Sequence, residues 1–296
     1  MTKVSVIIPT YNRGDVVLRA LRSVFAQGHS VDQVIVVDDG STDDTIERIE
    51  RNFSGVELIV QTNHGVSHAR NRGIERARNE WLAFLDSDDE WLPGKITAQL
   101  AAIVSDGTSR VCHSDEIWVR NGRRVNPMNK HRKYGGDIFL YCLPRCVMSP
   151  SSVVLHRSVV EEVGGFDETL PVCEDYDLWL RIASQTTVLY VPEKLLIKYG
   201  GHEDQLSRSS WGMDRYRIQA LEKLLLSEVL SATQSQEAIA EMLRKIEIYV
   251  AGARRRHRWQ EVQRYTQKRA HYESSVAVSS GFGQRSDAPE SRSCFW

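Results

Sequence analysis

Short apolar runs alternate with segments of helical spacing through the first hundred residues. Val4 to Ile8 is a β-branched run closed by Pro9, which predicts a buried strand. Val16, Val17, Ala20, Leu21, Val24 and Phe25 then fall on one helical face, with Asp15 placed as N-cap and Gly28 as C-terminal cap. Val34 to Val37 predicts a second strand running into Asp38-Asp39-Gly40-Ser41, and Ser41 with Asp44 resembles a capping box for a helix through Arg51. Val56 to Val60 follows as a third strand, Asn63-His64-Gly65 as a turn, Ser67 to Arg78 as a helix and Trp81 to Leu85 as a fourth strand. This alternation implies a parallel sheet with crossovers, and such sheets bind ligands beyond the carboxyl ends of their strands.

Beyond Trp91 the pattern changes. Pro93 suits the first position of a helix running from Lys95 to Val104. Val111 to His113 and Glu116 to Val119 predict short strands with a hairpin at Asn121-Gly122, and the aperiodic basic stretch from Arg123 to Gly136 reads as a loop over the site. Cys142 and Cys146, four apart, are expected on one helix face. Gly164 and Gly165 should end a helix and set Phe166 in the core, and Glu174, Asp175 and Asp177 fall in the first turn of another helix. From Trp211 to Gly252 the spacing predicts two packed helices. Seven Arg or Lys residues lie between Arg254 and Arg269, either as a solvated face or as a peripheral contact with an anionic membrane surface. The expected divisions are a domain over 1–210, a helical extension over 211–272 and a disordered tail over 273–296.

The run ending at Leu85 meets Asp86, Asp88 and Asp89, three carboxylates within four residues. Such a cluster reads either as a solvated or helix-capping turn or as a site for a hard divalent cation, Mg²⁺ or Mn²⁺, shared with a substrate phosphate. The predicted sheet sets Tyr11 and Asn12, Asp38 and Asp39, and Asp86 and Asp88 along one edge. There Tyr11 offers a face for a base or sugar and Asp39 an acceptor for an imide N–H, while Asp38 and Asp39 also suit plain helix capping. The sequence has neither a G-x-x-x-x-G-K-[ST] loop nor a G-x-G-x-x-G after the first strand. Phosphates would then be held by a metal at Asp88 and a basic group such as Arg70, unless Arg70 is simply solvated.

Formal charge is -1, which offers no basic field for nucleic acid. Five scattered cysteines without metal spacing suit a reducing compartment, and no apolar run approaches 18 residues. The stretch before Pro9 is too short for a secretory leader. A cytoplasmic protein, at most peripheral at the inner face of the membrane, is the expectation.

Four motifs in order carry a family resemblance: Val6-Ile7-Ile8-Pro9-Thr10-Tyr11-Asn12-Arg13, Val36-Val37-Asp38-Asp39-Gly40-Ser41-Thr42-Asp43, Ala69-Arg70-Asn71-Arg72-Gly73 and Phe84-Leu85-Asp86-Ser87-Asp88-Asp89. They resemble family 2 glycosyltransferases of the GT-A fold. The likeness extends through Gly164-Gly165-Phe166-Asp167-Glu168 and Glu174 to Arg181, about the first 210 residues. It implies an α/β fold with a mixed, mainly parallel sheet flanked by helices, and a C-terminal helical extension outside the match. It further implies a nucleotide-diphosphate-sugar donor (UDP- or dTDP-linked), Mn²⁺ or Mg²⁺, inversion, and a saccharide or lipid-linked acceptor in surface-polysaccharide or glycoconjugate assembly; self-association is compatible with it. By position, Pro9, Tyr11, Asp38, Asp39, Arg70, Asp86 and Ser87 would hold the donor, Asp88 and His202 the metal, and Glu174 and Trp179 the acceptor. Asp175 would be the base that takes the acceptor's proton. A processive synthase would carry Q-x-x-R-W and membrane spans, and a haloacid-dehalogenase-like phosphatase would have Thr or Val where Glu90 stands. The remaining rival is a non-catalytic nucleotide-sugar binder or scaffold.

Overall fold

The structure, a computed structural model, describes residues 2–201 and 211–281. Strands β1 (Val4–Thr10), β2 (Val31–Asp38), β3 (Val56–Val60) and β4 (Trp81–Phe84) form the parallel half of one mixed nine-stranded sheet. Its other half contains β5 (Glu90–Trp91), β6 (Val111–Arg120), β7 (Arg123–Val125), β8 (Val153–His156) and β9 (Leu189–Gly200). The order is β3-β2-β1-β4-β8-β6-β9-β5, with β7 paired to β6 as a hairpin.

Side-chain alternation on buried strands builds two cores. Ile7, Ile35, Val37, Leu82 and Phe84 face one layer; Val6, Ile8, Val34, Val36 and Ala83 face the other. The second layer is closed by α1 (Val17–Phe25), α2 (Thr45–Asn52) and α4 (Lys95–Asp106). The first is closed by α3 (Val66–Arg76), the short α5 (Phe139–Cys142), α6 (Arg157–Val163) and α7 (Glu174–Ala183), and it continues without a break into α8 (Asp214–Leu226), α9 (Ala232–Arg255) and α10 (Trp259–Gly281). Ile218, Leu221, Met242, Ile246 and Tyr249 belong to the same buried cluster as Ile7 and Trp179. Among the described residues, the helical extension therefore has no separate core.

Close approach of α3 to the sheet depends on Gly73. A Cβ there would lie 2.3 Å from Cγ2 of Ile7, so only glycine lets the helix settle on β1. Asn71, two residues earlier, exchanges hydrogen bonds with the Phe166 backbone N–H and C=O, both 2.9 Å, and pins the glycine turn after α6.

Several local expectations change. β1 continues through Pro9 to Thr10, because Ile7 and Pro9 face β4, whose ladder ends at the Leu85 N–H to Ile7 C=O bond; no donor is missed there. Asp15 does not cap α1 but pairs with Arg48 at 3.0 Å, and Ser41 and Asp44 form no capping box. Instead Ser41 donates to Asp38, and Asp44 binds Arg48. Gly94, not Pro93, adjoins the start of α4, with φ +83°. The two short strands predicted around residue 115 are one strand, β6, with register shifts at Ser114/Asp115 and Asp115/Ile117. Helix α5 ends at Cys142, so Cys146 shares no helix face with it. The C-terminal part holds three helices among the described residues, and α10 continues to Gly281, the first glycine or proline after Trp259.

The basic run is tied inward at several points. Arg256 and Arg258 lie 5.4 and 4.1 Å over the Trp211 ring, Arg269 pairs with Glu247 and Glu273, and Lys268 with Glu222. Among the described residues, no helix is long and apolar enough to cross a membrane.

Helix α4 buries Lys95 completely, with its Nζ donating to Gln99 Oε1 at 2.6 Å and 4.3 Å over the Trp91 ring. Burial lowers its pKa from 10.5 to about 7. The unfolded chain therefore holds a proton there over a window in which the folded chain does not. Stability from this group is full above the unfolded value and falls as pH drops toward 7. Chemical denaturation of the wild type should show a loss of roughly 2 kcal/mol between pH 9 and pH 7 that is absent from Lys95→Met.

Candidate functional site

Beyond the carboxyl ends of β1, β2 and β4 lies a cleft of about 670 Å³, closed on its far side by the start of α7 and the end of β9. Pro9, Tyr11, Asp39, Arg70, Ser87 and Asp88 all line it, as do Asp86, Glu174 and Asp175.

Two loops shape the first wall. The Asp39 N–H donates to Thr10 C=O at 2.8 Å, Asn12 N–H to Ser41 Oγ at 2.8 Å and Thr42 N–H to Asn12 Oδ1 at 2.8 Å, which joins the turns after β1 and β2. Asp39 Oδ1 accepts from Gln61 Nε2 and His64 N–H, and Oδ2 accepts from Gly65 N–H, at 2.7 to 2.8 Å. Among these bonds Oδ2 accepts only one, so it keeps acceptor capacity. Tyr11 projects with 45% of its surface exposed. Asp38 departs from expectation: it is fully buried, it does not line the cleft, and its carboxylate accepts from Gly40 N–H, Ser41 N–H and Ser41 Oγ. It builds the turn that presents Asp39.

Arg70 is the centre of the second wall. Its guanidinium donates to Asp86 Oδ1 at 2.7 Å and to Glu174 Oε1 at 2.8 Å, with the side chain 3% exposed. It is neither solvated nor turned to the solvent side of the cleft. Burial opposes its charge, yet the two carboxylates outweigh this and hold it protonated. Burial also pushes Asp86 up, but Arg70, Lys198 and Arg13 more than reverse that and its pKa is lowered. Glu174 goes the other way: burial and the neighbouring Asp175 charge raise its pKa despite Arg70. The clamp therefore holds Asp86 firmly as a carboxylate and Glu174 less so.

The rest of the acidic run divides by burial. Asp86 and Asp88 reach the cleft with 23% and 21% of their side chains exposed, and Arg13 lies 4.0 Å from Asp88. Asp89 is buried, takes Ser151 Oγ at 2.7 Å and Tyr199 N–H at 3.0 Å, and so ties the turn to β9. Burial and repulsion from Asp86 and Asp88 raise its pKa well above the ordinary range, although Lys198 pulls it down. Lys198 itself stays protonated against burial because Asp89, Glu116, Asp86 and Asp175 surround it.

Cys173, with φ +65°, turns the chain into α7 and sets Asp175 at the cleft. Asp175 Oδ1 accepts from Tyr176 N–H at 2.7 Å, and the Cys146 thiol lies 3.2 Å from Oδ2. Asp177 points inward to Arg181 and Lys223 and supports the helix. Trp179 is a correction. One turn further along α7 it is wholly buried in the core and does not line the cleft, so it cannot touch an acceptor. His202 lies outside the described residues. The roles of Asp89, Lys198 and Cys146 escaped the sequence. Asp89 had a signal, since it belongs to the acidic run; Lys198 and Cys146 stand in no motif and meet Asp175 only through folding.

Among the described residues, no group of three or more His, Cys, Asp or Glu side chains could hold a metal by itself. The half-buried pair Asp86 and Asp88 fits a hard cation differently, through one or two carboxylates completed by substrate phosphate and water.

Residues 5–164 match the family model described as glycosyl transferase family 2. An uncharacterized glycosyltransferase of Rickettsia conorii is 30% identical over 196 residues, which is 66% of this chain and 32% of that protein, so the chain spans about a third of that relative. The putative teichuronic acid biosynthesis glycosyltransferase TuaG of Bacillus subtilis is 26% identical over 70% of this chain and 82% of its own length. Among solved structures, S. aureus TarS 1-349 superposes with a TM-score of 0.66 at 22% identity, over 82% of this chain and 71% of that one. The same TarS fragment is also known in complex with UDP-GlcNAc, likewise with a TM-score of 0.66, at 20% identity over 83% of this chain and 72% of that one. The fold shared with TarS is the GT-A-like arrangement, a mixed sheet flanked by helices.

Replacing Arg70 by Met should leave Asp86 and Glu174 facing each other without their cation. Denaturant unfolding near neutral pH is expected to register a loss of about 3–5 kcal/mol. Arg70→Lys should recover only part of it, since a single ammonium cannot reproduce the guanidinium fork.

Proposed function

The chain belongs to glycosyl transferase family 2, and from that premise we propose that it is a metal-dependent, inverting sugar transferase. Its donor is a nucleotide-diphosphate sugar, UDP- or dTDP-linked, and its acceptor a hydroxyl of a saccharide or lipid-linked saccharide in cell-surface polysaccharide or glycoconjugate assembly. One observation carries the reading: Tyr11 and Asp39, Asp86 and Asp88, and Asp175 line one cleft beyond the strand ends. The complex of TarS with UDP-GlcNAc and the naming of TuaG support the donor class and the surface-polymer setting.

In this reading Asp39 accepts the imide N–H of a uracil or thymine base and Tyr11 covers the ring. Pro9 and Ser87 border the donor, and Arg70 acts through Asp86 and Glu174 instead of on phosphate. Asp86 and Asp88 would hold Mg²⁺ or Mn²⁺, which when bound supplies Lewis-acid stabilisation of charge on the leaving diphosphate. Asp175 takes the proton from the attacking hydroxyl. Its anchors, the Tyr176 N–H and the Cys146 thiol, fix the carboxylate's orientation while its cleft side stays open. Positioned proton transfer of this kind contributes on the order of 10²- to 10⁴-fold in rate. A cytoplasmic protein, peripheral at the inner membrane face, and a working unit of residues 1–210 with its helical extension belong to the same proposal.

A binder that kept the fold without the chemistry is distinguished by two variants. Asp175→Asn should abolish sugar transfer while leaving donor binding intact; full turnover in that variant would remove Asp175 as the base. Asp88→Asn should weaken donor binding only where Mg²⁺ or Mn²⁺ is present. Thermal unfolding with a panel of nucleotide-diphosphate sugars, with Mn²⁺ and with EDTA, reads donor binding in both variants, and nucleotide release reads transfer. A donor at about 100 times its dissociation constant adds about 2.7 kcal/mol.

A further inference from the structure

A second cavity, of about 270 Å³, opens beside the cleft and shares Cys146, Asp175, Lys198 and Tyr199 with it. Its charge is opposite. Among the described residues, six cations line it, Arg120, Lys130, Arg132, Lys133, Arg145 and Lys198, against the carboxylates of Glu116 and Asp175.

Glu116 offsets only one of these cations, Lys133. Its Oε1 accepts from Trp118 Nε1 at 2.7 Å, and its Oε2 accepts from Ser149 Oγ at 2.6 Å and pairs with Lys133 at 3.0 Å, all in a nearly dry setting. Burial raises its pKa, but Lys133 and Lys198 outweigh that and bring it to about 2, so it is a permanent counter-ion for Lys133. Among the described residues, Arg120, Lys130, Arg132 and Arg145 have no carboxylate partner. Arg120 lies 5.7 Å over the Trp118 ring and Arg132 5.6 Å over Tyr134, so aromatic faces hold both guanidinium groups. Arg145 donates to the Lys130 carbonyl, which fixes the two side chains' loops together. His131, within the same wall, has its pKa lowered by burial and then by Lys130, Arg145 and Arg120, a further mark of the positive field.

We propose that this cavity is an anion-accepting acceptor subsite, which binds an acceptor sugar carrying a phosphoryl group and presents that sugar's hydroxyl to Asp175. The inference rests on Asp175 as the base and adds the acceptor's chemical class. Guanidinium groups and ammonium groups converging from β6, the loop after β7 and the end of β9 suit a phosphoryl anion. A neutral sugar would leave those cations facing one another. The phosphoryl group could be the diphosphate of a lipid-linked sugar, attached at the anomeric carbon, or a phosphodiester on a polymer, attached at another position.

The test uses glucose 1-phosphate, glucose 6-phosphate and methyl glucoside as probes, with the full chain and equilibrium dialysis. At least one phosphorylated sugar should bind tenfold or more tightly than methyl glucoside, and added salt should erode the preference. The 1-phosphate or the 6-phosphate as the tighter ligand distinguishes the lipid-linked from the polymer source. The double variant Arg120→Ala/Arg132→Ala, altered at exposed positions, should lose most of the preference. Equal binding of all three probes, or a preference that survives in the double variant, overturns the subsite. Nucleotide release from the donor panel is measured in parallel. Phosphosugar preference without donor turnover keeps the anion site and refutes the transferase reading, whereas turnover without preference refutes the anion site alone.

Discussion

The site depends on one buried cation between two acids. Arg70 joins Asp86, at the end of a parallel strand, to Glu174, 104 residues away at the start of α7. Six acidic side chains, Asp39, Asp86, Asp88, Asp89, Glu174 and Asp175, line one cleft, and like charges at such density repel strongly where water is scarce. Arg70 from one side and Lys198 from the other make that density tolerable. Gly73 is part of the same device, because the contact of α3 with Ile7 decides how far Arg70 reaches.

The second half of the chain holds the clamp from behind. Lys223 of α8 reaches Asp167 at 2.5 Å and Asp177 at 3.1 Å, Arg181 links Asp177 to the Val163 and Gly165 carbonyls, and the Tyr176 hydroxyl donates to Leu143 C=O. These contacts fix the register of α7, hence the direction in which Asp175 faces. The helical extension, whose core is continuous with the sheet's, is in this sense part of the site's foundation. Strand β9 contributes differently: parallel to β6, it carries Lys198 and Tyr199 to the boundary between an acidic cleft and a basic cavity. Asp175 stands where the two potentials meet.

The sequence alone determined the parallel half of the fold. Strands of four to eight residues between helix-spaced segments leave few arrangements, and the rule that ligands sit beyond strand ends located Tyr11, Asp39, Asp86 and Asp88 on one edge. The first turn of α7 was also legible, since acids preceding an apolar stripe mark a helix start. What folding decided were directions and partners. Asp38 and Asp39 are neighbours of one type, yet strand alternation and the Gly40 turn send one into the loop and the other to the cleft. Trp179, one turn beyond Asp175, is drawn wholly into the core because the C-terminal helices pack over it. The Glu174 carboxylate at Arg70, the Cys146 thiol at Asp175 and Lys198 beside Asp89 come from segments far apart in the chain. Local pattern carries no information about such contacts, because they arise from the pairing of β6, β8 and β9 and from the docking of α7, which only the packed tertiary structure fixes.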